Sequence, residues 1–335
     1  MTQWQPSPRD AEAVKRVSRA LASASSWLIV THERPDGDAL GSALAMAHIL
    51  TALGKEWTFL VAEPLPERFQ FLPMYQQIRH ISETDYGAYH DVVAVDCADE
   101  QRFEAVSKAV AANARVINID HHQTNPQYGE ASCVDAEAAA TCELIYHVAL
   151  ELSVPIDVDL AKCLYTGILT DTGGFSYPNT TRAVHQIAAE LLECGVQPYD
   201  IAEPALEART RSQMTLLQLA LRDMFISPDG RYAFISVNRK MLEEAGASED
   251  DVEGLVGFAR SVETVEVGVL LRERPDGKVK ASLRSKRRVD VAVIAQQFGG
   301  GGHARAAGCV LEGPLPMARQ RIEAVVSSVL EAMSV

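Results

Sequence analysis

The sequence predicts an α/β protein whose N-terminal domain is a mostly parallel sheet with helices on both faces, followed by a smaller α+β domain. Short β-branched apolar runs alternate with helix-like segments as far as residue 194, which indicates repeated βαβ units. Polar clusters directly follow several of those runs. Hairpin and turn signals dominate after residue 211. We therefore predict a first domain at 1–194, a linker at 195–211 and a second domain at 212–335.

The elements of the first domain follow from its apolar periodicity. The predicted strands lie at 27–30, 56–62, 91–95 and 116–119. The predicted helices lie at 10–24, 39–53, 100–112, 136–152, 160–169 and 181–194. We expect Asp38 to cap the second helix and Gly54 to follow its end.

The second domain has its own pattern of turns. Pro275-Asp-Gly277 separates two β-like runs, at 262–272 and 278–284, and predicts a hairpin. Helices are expected at 212–224, up to 260, at 289–298 and at 316–333, with further strands at 231–237 and 309–312. Four consecutive glycines, 299–302, precede His303.

Composition excludes several classes of protein. A net charge of -14 argues against binding a long nucleic-acid duplex, which needs a broad basic surface. No apolar run is long enough to span a membrane, and the first six residues lack a signal-peptide core. The six cysteines form no C-x-x-C pair, as expected of reduced thiols. We expect a cytoplasmic protein.

The polar clusters at the strand ends point to a metal site. In a parallel sheet the carboxyl ends of the strands meet at one edge, so the side chains that follow them converge. Converging carboxylates need a cation among them, and Arg34 is the nearest basic residue in the sequence. Carboxylate oxygens with a few imidazoles suit Mn²⁺ or Mg²⁺. The candidate residues are His32, Asp36, Asp38, Asp96, Asp120, His121, His122 and Asp171.

Each of these motifs has a simpler explanation when it is taken alone. Asp36-Gly37 is a common turn, Asp38 a helix cap and Asp96 a strand-end turn residue. Asp171 would end a helix, and His32 would be a buried core histidine. Their shared position at the strand ends favours a metal site, and the set is large enough for two ions that share one carboxylate.

The same motifs, in this order, resemble those of the DHH phosphoesterase superfamily: His32-x3-Asp36-x-Asp38, Asp96, Asp120-His-His122 and Asp171. Gly299 to His303 with Ala304 to Gly308 resembles the glycine-rich signature of the DHHA1 domain. Chain length and layout are most similar to the bacterial nanoRNase and pAp phosphatase branch.

The resemblance implies a role for each residue. One metal would be held by His32, Asp36 and Asp96, and the other by Asp38, Asp96, His121 and Asp171, with Asp96 bridging. Asp120 would orient a histidine from behind, and His122 would contact the scissile phosphate or protonate the leaving oxygen. Substrate would be bound by Arg284 and His303 and by the backbone of Gly300, Gly301 and Gly302. The neighbouring Lys286, Arg287 and Arg288 are expected to be a solvated hairpin end.

The implied activity is a two-metal phosphoesterase that uses metal-activated hydroxide, with Mn²⁺ preferred and Mg²⁺ or Co²⁺ as alternatives. Its substrates would be oligoribonucleotides of about two to five units, cut to 5′-mononucleotides. 3′-Phosphoadenosine 5′-phosphate (pAp) is a further expected substrate, and a homodimer is compatible with the sequence.

Other functions remain open from the sequence. The same site would serve a phosphodiesterase of cyclic dinucleotides or of linear pApA. A non-catalytic nucleotide-binding regulatory module would keep the fold, although the complete ligand set argues against it. A RecJ-type exonuclease needs additional nucleic-acid domains, and a family II pyrophosphatase should lack the His303 signature.

Overall fold

The computed structural model describes residues 8–252 and 254–333. The predicted lack of a signal peptide concerns the first six residues, which lie outside that part, as do the last two residues of the second predicted domain. The chain divides into two compact units between Ala208 and Arg209. None of the helices described is both long and apolar enough to cross a membrane.

The first unit is built on six strands that all pair in parallel. In chain order they are β1 (Ser26–Val30), β2 (Glu56–Val61), β3 (Arg79–His80), β4 (Tyr89–Val95), β5 (Val110–Asp120) and β6 (Ala131–Val134). Their order in the sheet is β3-β2-β1-β4-β5-β6, so the chain reverses its direction of travel across the sheet after β3. The predicted parallel sheet is confirmed, and β1, β4 and β5 are adjacent.

The helices of the first unit are α1 (Ala11–Ser23), α2 (Gly37–Ala52), α3 (Thr141–Glu151), α4 (Val158–Asp171), α5 (Arg182–Glu193) and α6 (Pro198–Ala202). Short 3-10 helices cover Glu67–Phe69, Tyr75–Gln77, Ile81–Glu83 and Glu100–Ala109, and a π-helical turn covers Glu203–Glu207. The segment predicted as a linker therefore contains α6 and this turn, and it belongs to the first unit as far as Ala208.

The first unit differs from the prediction at several points. The cap of α2 is Asp36, whose Oδ1 accepts hydrogen bonds from the backbone N–H groups of Asp38 and Ala39 at 3.1 and 3.0 Å. Asp38 is thus inside the first turn, where its side chain is free to face another element. The predicted helix at 100–112 is a 3-10 helix that stops at Ala109, because the chain from Val110 pairs with β4. The edge strand β6 was not predicted.

Two glycines let α2 and α4 pack closely beneath the sheet edge. A Cβ atom on Gly41 would lie 2.6 Å from the carbonyl oxygen of Cys163. A Cβ atom on Gly167 would lie 2.3 Å from Cys142 Sγ and 2.4 Å from Asp38 Oδ1. Neither distance is possible for real atoms, so glycine is needed at both positions to bring the helices together beside Asp38.

The second unit is a mixed six-stranded sheet in the order β11-β12-β10-β9-β8-β7. Its strands are β7 (Phe225–Ile226), β8 (Tyr232–Val237), β9 (Val267–Glu273), β10 (Val279–Ser285), β11 (Gly301–His303) and β12 (Ala306–Leu311). β8 and β9 are parallel and the other pairs are antiparallel. The predicted hairpin is β9–β10, and the last two glycines begin a strand rather than a free loop.

Helices cover both faces of this second sheet. They are α7 (Arg211–Arg222), α8 (Arg239–Ala245), α9 (Leu255–Ser261), α10 (Val291–Gln296) and α11 (Leu315–Ala332). Successive side chains of β9 point to opposite faces of the sheet. Val269 therefore packs in the core with α10 and α11, and Leu270 packs in the core with α7, α8 and α9.

Gly41→Ala is expected to destabilise the first unit by about 1–3 kcal/mol, because the added methyl group forces α2 away from α4. Helix propensity alone predicts the opposite sign, a gain of about 0.5–1 kcal/mol. The matched control is Gly257→Ala in α9, where an added Cβ meets nothing within 4 Å and only the propensity gain is expected. Urea unfolding of both variants measures the two effects. Stabilisation by Gly41→Ala would contradict the close packing.

Candidate metal centre

The structure brings the predicted polar residues to one edge of the first sheet. His32 follows β1, Asp96 follows β4, and His121 and His122 follow β5, which ends with Asp120. Asp36 and Asp38 lie at the start of α2, and Asp171 is the last residue of α4. Because β1, β4 and β5 are neighbours, their carboxyl ends place these side chains together.

The side chains form two groups that meet at Asp96. In the first group, His32 Nε2 lies 3.5 Å from Asp96 Oδ2 and 4.0 Å from Asp36 Oδ1. In the second group, His121 Nε2 lies 3.2 Å from Asp171 Oδ2 and 3.9 Å from Asp38 Oδ2. Asp96 Oδ1 is 3.6 Å from His121 Nε2, so one Asp96 oxygen faces each group. Each group presents donor atoms close enough together to hold an ion.

The central carboxylate is held by an unusual backbone conformation. Asp96 is 2% exposed and has a φ of 52°, in the left-handed region. Asp and Asn tolerate this region better than other residues with a Cβ atom. Its N–H group donates to the carbonyl oxygen of Ile119 at 3.0 Å, which keeps the turn after β4 bound to β5. The turn thus directs the carboxylate across the sheet edge between β1 and β5.

The N-terminus of α3 holds Asp38, a contact that the sequence did not reveal. The backbone N–H groups of Thr141 and Cys142 donate to the two oxygens of Asp38 at 2.6 and 3.1 Å. The Thr141 hydroxyl donates to Asp96 Oδ1 at 3.0 Å. Free N–H groups and the helix dipole both favour an anion at this position. Threonine is common at the start of helices, but Thr141 lies 103 residues from Asp38, so no local sequence pattern predicts their contact.

Backbone carbonyl groups orient the two histidines. His32 Nδ1 lies 2.7 Å from the carbonyl oxygen of Glu33, and His121 Nδ1 lies 3.3 Å from that of Ala138. When the rings are neutral, these contacts favour the proton on Nδ1 and leave Nε2 of each ring facing the carboxylates. An imidazole held in this way is ready to bind a metal through Nε2.

Asp120 supports His122 from behind. His122 Nδ1 lies 2.8 Å from Asp120 Oδ1, and Asn125 Nδ2 donates to Asp120 Oδ2 at 2.6 Å. The opposite nitrogen of the ring, Nε2, lies 3.4 Å from NH1 of Arg102. Sequence reasoning named Arg34 as the nearest cation and missed Arg102, because only the fold brings the 3-10 helix at Glu100–Ala109 beside β5.

The centre has an excess of buried negative charge. Burial and the nearby Asp96 raise the pKa of Asp38 to about 7. Burial and Asp38 raise the pKa of Asp171 to about 9. Burial alone would lower the pKa of His121, but Asp38, Asp96 and Asp171 outweigh it and raise that pKa to about 9. Burial opposes ionisation of Asp96, yet the hydrogen bond from His32 and the charges of the histidines lower its pKa. All four shifts favour a cation at this place.

The donor set fits a hard divalent cation. Within the described residues, both groups offer carboxylate oxygens and imidazole nitrogens. The nearest thiol, Cys142, is fully buried and its pKa is raised well above the ordinary value, so it stays protonated. Oxygen-rich sites with imidazole suit Mn²⁺ or Mg²⁺, whereas structural zinc sites prefer thiolates.

The second unit contains the residues predicted to bind substrate. Arg284 lies in β10 opposite Ala306 of β12, and His303 is exposed at the end of β11. Steric crowding explains why glycine is needed at positions 300 and 302. A Cβ atom on Gly300 would lie 2.2 Å from the carbonyl oxygen of Gly308, and one on Gly302 would lie 2.5 Å from the carbonyl oxygen of Ala306. Gly301 has no such neighbour. Contact of these residues with substrate stays a prediction.

Comparison with known proteins identifies the class. Residues 26–168 match the DHH family N-terminal domain, and residues 229–334 match the DHHA1 domain. The bifunctional oligoribonuclease and PAP phosphatase NrnA of Thermus thermophilus is 38% identical over 320 residues, which cover 95% of this chain and 94% of that protein.

Solved structures agree with this class. An exopolyphosphatase-related protein of Bacteroides fragilis superposes with a TM-score of 0.86 at 27% identity, covering 96% of both chains. RecJ of Thermus thermophilus in complex with Mn²⁺ shares the fold at a TM-score of 0.51 and 14% identity, covering 95% of this chain and 54% of RecJ.

A parallel sheet with clustered carboxylates and imidazoles at its carboxyl edge, joined to a DHHA1 domain, defines a metal-dependent phosphoesterase. The chain belongs to the DHH family, and the predicted resemblance is confirmed.

Binding of a divalent cation is expected to release protons at pH 7, because Asp171 and His121, each with a pKa of about 9, hold protons in the metal-free chain. Calorimetric titration with Mn²⁺ in buffers of different ionisation enthalpy measures this release. Heats that do not depend on the buffer would contradict the assigned charge state.

The same shifts predict a larger stabilisation by Mn²⁺ at pH 8 than at pH 6. A raised carboxyl pKa makes Asp171 increasingly unfavourable for the metal-free fold above about pH 4. The raised pKa of His121 contributes stability that is lost as pH rises through about 9. Thermal unfolding at both pH values, with and without Mn²⁺, tests this. An equal or smaller shift of Tm at pH 8 would show that the charge argument is wrong.

Proposed function

We propose that this protein hydrolyses short oligoribonucleotides to 5′-mononucleotides and also converts pAp to AMP. The observation that carries the proposal is the pair of donor groups that share Asp96, in a chain 38% identical to an NrnA protein over nearly its whole length. A complete set of carboxylates and imidazoles in a fold of this family supports turnover rather than a purely regulatory role.

The two proposed reactions break the same kind of bond, the one between phosphorus and a 3′ oxygen. In a dinucleotide, water adds to phosphorus, the bond from phosphorus to the 3′ oxygen breaks, and that oxygen takes a proton. The phosphate stays on the 5′ carbon, which gives a 5′-mononucleotide. In pAp the same bond to the 3′ oxygen breaks and releases inorganic phosphate. A single site that recognises a phosphoryl group on a 3′ oxygen therefore accounts for both activities.

Two divalent cations, with Mn²⁺ preferred, complete the proposed site. His32, Asp36 and Asp96 would hold one, and Asp38, Asp96, His121 and Asp171 the other. Such cations supply a water acidic enough to act as nucleophile at neutral pH, and they neutralise charge on the phosphoryl oxygens. The distances between Asp96 and both histidines support the sharing of this carboxylate.

The remaining residues orient the reactants. Asp120 holds the Nδ1 side of the His122 ring, and we propose that this ring contacts the scissile phosphate. In the second unit, Arg284 offers a planar guanidinium that suits a phosphate, and His303 adds an exposed hydrogen-bonding ring. We propose that these two residues bind the part of the substrate that does not react.

The first test is a substrate panel with Mn²⁺ in ¹⁸O-labelled water. Linear pApA should yield two AMP molecules, and only the one formed from the cleaved linkage should carry the label in its phosphate, because the new oxygen enters at that phosphorus. The substrate pAp should yield labelled inorganic phosphate and unlabelled AMP. Mass spectrometry distinguishes these products. No turnover of either substrate by folded, metal-loaded protein would refute the proposed function, and preferential hydrolysis of cyclic dinucleotides would replace it.

The second test removes the shared carboxylate. Asp96→Asn keeps a residue that tolerates the left-handed backbone, and it should lower kcat for pApA by about 100-fold or more. The matched control is Asp91→Asn in β4, the strand that Asp96 follows. This change breaks a partly exposed ion pair with Arg115 and should cost less than about 1 kcal/mol of stability with unchanged kcat. Equal activities of Asp96→Asn and wild type would exclude the bridging role.

A further inference from the structure

We propose that Arg102 is a catalytic residue, whose guanidinium binds the non-bridging oxygens of the scissile phosphoryl group beside His122. The inference rests on the proposed function and extends it, because the donor groups described above supply no permanent positive charge for the substrate. Arg102 was not among the residues that the sequence motifs indicated.

The charges around the site leave the guanidinium of Arg102 without a neighbouring carboxylate among the described residues. Arg34, near Asp36, is 78% exposed in its side chain and its Nε lies 3.3 Å from Glu63 Oε2. Within the described part of the chain, no carboxylate lies within 4 Å of the Arg102 guanidinium, and its recorded side-chain partner is the imidazole of His122. A guanidinium has five N–H donors, so most of those on Arg102 are available to an anion.

Hydrogen bonds on both sides hold the backbone of Arg102 in place. Its carbonyl oxygen accepts a hydrogen bond from the N–H group of Glu33 at 3.0 Å, in the loop between His32 and Asp36. Its own N–H group donates to the carbonyl oxygen of Asp99, the residue that caps the 3-10 helix. The residue is thereby fixed to the loop that carries one donor group.

Buried amides fix the other side of this segment. Asn118 Nδ2 donates at 3.2 Å to the carbonyl oxygen of Cys97, which directly follows Asp96. Asn118 Oδ1 accepts at 2.8 Å from Asn125, and Asn125 also donates to Asp120. One continuous hydrogen-bonded network therefore connects the turn at Asp96, the support of His122 and the start of the segment that ends at Arg102. Such a network holds the backbone after Asp96 and the support of His122 in fixed positions.

The side chains of Arg102 and His122 lie next to each other. Arg102 NH1 lies 3.4 Å from His122 Nε2, and His122 Nδ1 lies 3.7 Å from Asp96 Oδ1. The guanidinium therefore lies beside Nε2, on the side of the ring away from both Asp120 and Asp96. Arg102 and His32 also line one small hollow at the end of β1. A planar fork at this position matches two oxygens of a phosphoryl group, which a lysine ammonium does not.

A purely structural role is the competing explanation, in which Arg102 only keeps His122 in place. The two explanations differ in how the loss of the guanidinium is repaired. If Arg102 binds the phosphoryl group, free guanidinium ion can occupy the vacated space and restore part of the rate. If it only supports the fold, the ion restores nothing, and metal content or thermal stability falls together with activity.

The experiment compares wild type, Arg102→Ala and Arg102→Lys, all loaded with Mn²⁺, with pApA as substrate. We expect kcat/KM of Arg102→Ala to fall by about 100- to 1000-fold, with unchanged metal content. Arg102→Lys should stay at least about tenfold below wild type. Guanidinium ion at millimolar concentration should raise the rate of Arg102→Ala but not that of Asp96→Asn. The matched control is Lys108→Ala, in the same 3-10 helix, which should leave kcat/KM unchanged.

Binding of 5′-AMP to the same Mn²⁺-loaded samples provides a second measurement. We expect Arg102→Ala to bind AMP at least about tenfold more weakly than wild type does. A fall in kcat/KM of less than about threefold, or a larger fall without rescue and with unchanged AMP affinity, would overturn the proposal. If wild type binds AMP but does not hydrolyse pApA, the proposed function fails, and the AMP affinities alone then decide whether Arg102 binds phosphate.

Discussion

The structure depends on one electrostatic constraint: Asp38, Asp96 and Asp171 are brought together beneath a sheet edge where burial opposes their ionisation. Such an arrangement is unfavourable unless positive charge lies among the carboxylates. The helix N-terminus at Thr141 and the imidazole of His121 supply part of that charge. A divalent cation supplies the remainder. Because it relieves the repulsion among the carboxylates that destabilises the metal-free fold, this relief contributes to the free energy of metal binding.

The scaffold is arranged to impose this proximity. Parallel pairing of β1, β4 and β5 places three strand ends side by side, and the left-handed turn at Asp96 directs its carboxylate between them. Glycines at 41 and 167 let α2 approach α4, so that Asp38 and Asp171 face one centre. All the donor residues lie in the first unit, whereas the sheet of the second unit has a separate core on each face.

Much of this could be predicted from the sequence, because strand-end polar motifs and apolar periodicity are local signals. These local signals predicted every residue of the two donor groups. Contacts that depend on tertiary structure could not be predicted. Thr141 is 103 residues from Asp38, and Arg102 meets His122 across two elements, so no spacing reveals either contact. Asp38 was predicted to cap α2, but Asp36 is the cap. Asp38 lies in the first turn, and its carboxylate accepts hydrogen bonds from the start of α3 instead. The 3-10 helix ended early because pairing of Val110 with β4 prevailed over helical periodicity.

The central claim is that Asp96 is shared by two cations. Low-temperature EPR of the Mn²⁺-loaded chain, together with metal analysis, tests it most directly. Two ions about 3.5–4 Å apart should give an exchange-coupled spectrum at a stoichiometry of about two per chain. Asp96→Asn should show only isolated Mn²⁺. An uncoupled spectrum from wild type at full loading, or a single ion per chain, would contradict the account.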